Sequence, residues 1–113
     1  MELSKKEVLD AVGKMMVKEV NTRYSDDFPF KCGDKLFIRT VTHYFTGRLV
    51  QILHDFVVLE DVCWIGDTGR YGDWLAKGTG RELEPYPPGK VAIGRGAVID
   101  ISEWKHELPR EQK

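Results

Sequence analysis

Two cysteines, no long apolar run and almost no net charge set the first bounds on this chain of 113 residues. No stretch reaches the roughly 18 consecutive apolar residues that a membrane-spanning helix needs. The opening Met1-Glu2-Leu3-Ser4-Lys5-Lys6-Glu7 lacks the apolar centre of a signal peptide. A cytoplasmic protein with no membrane contact is the expectation, with Cys32 and Cys63 as reduced thiols. The formal net charge of −1 lacks the basic excess of a general polyanion binder. Any nucleic-acid contact would depend on a few placed groups, multiplied if several copies present the same groups. Internal repeats and low-complexity tracts are missing as well. One soluble globular domain with a modest core fits the length and the 42% hydrophobic content.

Catalytic and metal-binding patterns are equally scarce. Cys32, His43, His54 and Cys63 are the residue types that zinc prefers. They form no Cys-x-x-Cys or His-x-x-x-His pair, so no metal is expected, and Cys63 reads as a small buried hydrophobe. Asp26-Asp27 lies in a turn-prone stretch, and Glu60-Asp61 would point to opposite faces of a strand. Ser4, Ser25 and Ser102 have no recognisable His and Asp partners. Gly66-x-x-Gly69-x-x-Gly72 lacks the strand-to-helix setting and the Lys-Ser/Thr ending of a phosphate loop. The expectation is a protein that is not an enzyme and holds no cofactor.

What is present divides into distinct textures. Ser4 and Glu7 form a capping box, followed by Val8, Val12, Met15/Met16 and Val20 at helical spacing. An amphipathic helix over about residues 4–21 is predicted, with Gly13 a costly interior position. From Gly33 the pattern becomes β: Lys35–Val41, Tyr44–Leu53 and Val57–Ile65 read as a meander. Gly47 inside the second run suggests a bend or bulge that lets a small sheet curl. Residues 66–89 are rich in Gly and Pro and read as a long inserted loop. Its Tyr71, Trp74 and Leu75 would fold back on the barrel or meet a neighbouring subunit. Lys90–Ile93 and Ala97–Ile101 would close the sheet, giving a barrel over about residues 33–104. The polar tail 105–113 would fray.

The last two strands flank Gly94-Arg95-Gly96, where glycines allow a tight turn and leave one long cationic side chain projecting. Ile93-Gly94-Arg95-Gly96-Ala97-Val98-Ile99 resembles the second motif of the Sm/LSm family, which includes the bacterial RNA-chaperone branch. Gly47-Arg48-Leu49-Val50-Gln51-Ile52 and Phe56-Val57-Val58-Leu59 are similar to the apolar frame of its first motif. The resemblance covers roughly residues 35–65 and 91–101. It departs from the family at Leu53-His54-Asp55, where the Asp is one residue out of register. It departs again at Val57, where the eukaryotic branch carries an Asn.

The resemblance implies a mainly β fold: an N-terminal helix followed by a small, strongly bent, five-stranded antiparallel SH3-like or Sm-like barrel. It also implies self-association into a ring of five to seven copies through the strands beside Arg95, with single-stranded RNA rather than DNA as ligand. The RNA-binding residues would be His54, Asp55 and Phe56 of one turn and Gly94, Arg95 and Gly96 of the other, with weaker phosphate contacts from Arg48 and Lys90. A second reading stays open beside it. The chain would be a structural or protein-interaction barrel without RNA binding, using aromatic anchors of the 66–89 loop, Tyr71 and Trp74 with Tyr86.

Overall fold

A computed structural model describes residues 28–113, so the helix expected over residues 4–21 lies outside the described residues. Among the described residues the chain is mainly β, with one antiparallel sheet and little helix. Its elements are β1 (Lys35–Thr40), β2 (Tyr44–Ile52), β3 (Phe56–Asp67), α1 (Tyr71–Lys77), β4 (Glu82–Pro85), β5 (Lys90–Gly94) and β6 (Val98–Glu103). The strand order is β4-β3-β2-β1-β6, and β5 also pairs with β3.

β3 organises the sheet because it is long enough to serve two partners along one edge. Phe56–Glu60 pair with β5, and Cys63–Asp67 pair with β4. Asp61, the residue where the pairing changes hands, has φ of 51°, a left-handed conformation that Asp tolerates better than most residues. Directly across, the register with β2 shifts between Thr46 and Arg48. Gly47 therefore sits at a bulge, as its place in the sequence suggests. A Cβ there would lie 3.0 Å from Leu59 Cβ and 3.1 Å from Val62 Cγ2, so only glycine fits the bend without displacing neighbours.

The bent sheet buries both of its faces. Alternation along β1 sends Leu36 and Ile38 to an aliphatic core with Leu49, Ile52, Val57, Leu59, Val62 and Ile93. The residue between them, Phe37, enters a second core with Cys63, Ile65, Trp74, Leu83, Trp104 and Leu108. Full burial of each such large side chain is worth about 1.5–3 kcal/mol.

Four expectations need correction. The sheet has six strands and is not a closed barrel: β5 pairs with β3, β6 pairs with β1, and β5 and β6 are not neighbours in the ladder. A short 3₁₀ turn over Arg95–Ala97 carries the chain from one strand to the other and replaces a hairpin turn. Residues 66–89 are not loop throughout. They contain α1, stopped by Gly78 in the left-handed region, and β4.

The tail 105–113 does not fray but is strapped to the body. Leu108 is buried, and Trp104 Nε1 donates to the Glu107 carbonyl at 3.0 Å. Lys35 Nζ donates to the His106 carbonyl at 2.6 Å, and Lys113 and Leu83 exchange two backbone hydrogen bonds of 3.0 and 3.2 Å. Two apolar anchors, Trp104 and Leu108, outweigh the polarity of the residues around them.

Candidate nucleic-acid interface

The two turns expected to carry function come together at one end of the sheet. β2 and β3 are joined by residues 53–55, and β3 pairs with β5 from its first residue, so Phe56 stands opposite Gly94. The Arg95 backbone N–H donates to the Asp55 carbonyl at 2.9 Å, and Arg95 Nη1 donates to the Leu53 carbonyl at 3.2 Å. The Arg95 guanidinium also lies 5.4 Å from the centre of the Phe28 ring. Arg95 therefore fixes one turn against the other and brings its positive charge to the rim.

The rim's other side chains face outward. The side chains of His54 and Asp55 are 64% and 76% exposed, and Phe56 is 44% exposed. His54 Nδ1 and Asp55 Oδ1 lie 2.8 Å apart. An ionised carboxylate only accepts, so the imidazole donates from Nδ1, and a neutral ring then carries its acceptor at Nε2. The result is an aromatic ring and an imidazole beside a fixed guanidinium. Such a set can stack on an unpaired planar base and attract its phosphate.

The expected auxiliary cations separate. Lys90 is exposed at the start of β5. Arg48 is committed to carboxylates, bonding to Asp61 and lying 3.1 Å from Glu60 Oε2. Asp61 also takes Arg110 at 3.2 Å, and the hydrogen bond from Arg48 is the main reason its carboxyl is held below the usual carboxylate range. Arg48 therefore serves the bulge at Gly47 and Asp61 rather than the rim.

The residues assigned to a protein partner also divide. Trp74 has no exposed surface and stacks with Trp104 at 4.4 Å between ring centres. Tyr71 is 39% exposed, and its ring lies 5.7 Å from the Arg39 guanidinium. Of these two, only Tyr71 reaches solvent, with Leu75 and Tyr86 exposed to a similar degree.

The two thiols differ in setting: Cys63 is buried and Cys32 is exposed. Burial pushes the Cys63 thiol up to about 11, away from the reactive thiolate. Cys32 donates to the Val50 carbonyl at 3.4 Å. Among the described residues, no three His, Cys, Asp or Glu side chains gather into a metal-binding group.

Phe28 is the rim residue that sequence reasoning missed. Its signal is the apolar pair Phe28 and Phe30, flanking Pro29 just ahead of the first strand. Both rings pack against the aliphatic core, 5.8 Å apart. Comparisons with models of known protein families, with curated proteins and with solved structures find no match.

Proposed function

We propose that this chain is an Sm-like RNA-binding protein that self-associates and contacts single-stranded RNA through the paired turns 53–56 and 94–96. The observation that carries the reading is the tie between these turns, through the Arg95 N–H to the Asp55 carbonyl. It brings His54, a half-exposed Phe56 and a cationic side chain to one rim. β5 and β6, which leave that rim, each have one edge paired within the sheet. Their other edges are suited to pairing with neighbouring copies, which would repeat the rim around a ring of five to seven subunits. Repetition supplies the affinity that a net charge of −1 does not. Tyr71 and Leu75, exposed together on α1, favour protein interaction as a second reading.

Native mass spectrometry of the whole chain, with and without oligo(U) and oligo(A), tests the proposal. The expected result is a closed ring that gains an oligonucleotide. Phe56→Ala should keep the ring and weaken binding by about 1–3 kcal/mol per stacked base. A ring or monomer that gains neither RNA overturns the RNA reading.

A further inference from the structure

The other end of the β2–β3 hairpin carries a group of side chains that the rim does not use. Phe45 and Trp64 stand opposite each other in the register, on the face that holds the aliphatic core. His43 lies against both, 5.8 Å from the Trp64 ring at 54° and 6.3 Å from the Phe45 ring at 51°. A cleft of about 200 Å³ opens beside them, with His43 and Trp64 as walls and Thr42 and Gly66 among its other lining residues. Thr42 Oγ1 lies 2.9 Å from His43 Nδ1, which fixes the imidazole orientation.

Carboxylates flank this corner. Glu84 is the register partner of Trp64 and shares its face, where it accepts a 3.2 Å bond from Gln112. A Cβ on Gly66 would lie 2.5 Å from the Trp64 ring and 2.7 Å from the Glu82 carboxyl carbon, so indole and carboxyl converge over that glycine. Among the described residues, no Lys or Arg lines the cleft. Aromatic faces beside negative charge attract cations and repel phosphate.

The same molecule shows what such a corner holds. On the opposite face, the Arg39 guanidinium lies 5.9 Å from the Tyr44 ring and 5.7 Å from the Tyr71 ring, with Asp100 as its ion-pair partner. Two aromatic rings and a carboxylate hold one guanidinium there. The His43–Trp64 corner sets the same kinds of group near one another, with Glu82 and Glu84 beside the cleft rather than in its lining.

We propose that the corner between His43 and Trp64, flanked by Glu82 and Glu84, binds the guanidinium of an arginine side chain presented by a partner protein. The site is distinct from the RNA rim and does not rest on it.

The test is an NMR titration of the ¹⁵N-labelled full chain with N-acetyl-arginine amide, read at the three tryptophan indole N–H signals. The Trp64 signal should shift saturably, while those of the buried Trp74 and Trp104 stay in place. The paired substitution Glu82→Gln with Glu84→Gln should leave the remaining spectrum intact and weaken the interaction roughly tenfold. An unmoved Trp64 signal overturns the proposal. So does a shift with uridine 5′-monophosphate but not with the arginine probe, which would make the corner a base-stacking site. Neither outcome depends on whether oligonucleotides bind the rim.

Discussion

The two faces of the bent sheet are built from different kinds of sequence. The aliphatic core draws on β1, β2, β3 and β5, and most of its members fall within the meander from Leu36 to Val62. The aromatic core takes Phe37 from β1, Trp74 from α1, Leu83 from β4, and Trp104 and Leu108 from beyond the last strand. One face is thus a local product of strand alternation, and the other is assembled by segments folding back over the sheet. The rim with His54, Phe56 and Arg95 belongs to the first face. The second is closed over by α1 and the C-terminal strap.

Removing the keystone of the assembled face should have the largest effect. Trp74→Ala empties a fully buried indole that touches both Phe37 and Trp104. A loss of about 3–5 kcal/mol is expected from denaturant unfolding. Hydrogen exchange should show α1 and residues 105–113 losing protection first, while β1–β3 amides keep theirs until global unfolding. Equal loss of protection across both faces would show that the two cores fold as one unit.

That division also explains what could be read before the structure. The meander and the bend at Gly47 follow from local alternation and glycine placement, whereas the approach of the 53–56 and 94–96 turns is what the resemblance to the Sm/LSm family implies. Trp74, by contrast, lies in a Gly-rich stretch whose seven-residue helix has no side-chain N-cap, so periodicity had almost nothing to report. Leu108 is a lone apolar residue among charged neighbours, and only its burial in the aromatic core reveals the strap. The sixth strand was hidden because Glu82–Pro85 contains just one buried residue, Leu83. The tie from Arg95 to Leu53 is a side-chain contact with a main-chain carbonyl, which residue identity at position 53 does not encode.

A smaller effect is expected where the meander bends. Gly47→Ala places a methyl 3.0 Å from Leu59 Cβ and Cδ1, inside a filled core. The neighbours must move, at about 1–3 kcal/mol. Because the bulge turns the rim half of β3 away from its β4 half, the strain falls on the face that carries the rim. Circular dichroism melting should detect the loss, and if the rim binds RNA as proposed, titration should show weaker binding than the parent protein at the same temperature. Unchanged stability would mean that Leu59 and Val62 have room to retreat, and that the bend is held by Asp61 alone.

The smallest effect concerns Asp61, whose charge sits at the point where β3 passes from β5 to β4. Asp61→Asn keeps a residue that tolerates positive φ and removes the charge facing Arg48 and Arg110. These side chains are about a third or more exposed, so the pair is worth up to about 1 kcal/mol. Its pH dependence has a definite sign. The folded carboxyl is held below its ordinary value, chiefly by the hydrogen bond from Arg48. The stabilisation is therefore fully present above the ordinary carboxylate pKa and is lost as pH falls through the lowered one. Asp100, held low by Arg39, titrates in the same direction but is present in both proteins and cancels in their difference. Unfolding midpoints of parent and Asp61→Asn should differ at about pH 6 and converge as the pH falls through the lowered Asp61 carboxyl range. A gap that persists in acid would locate the role of Asp61 in backbone conformation rather than charge, making the kink independent of its arginines.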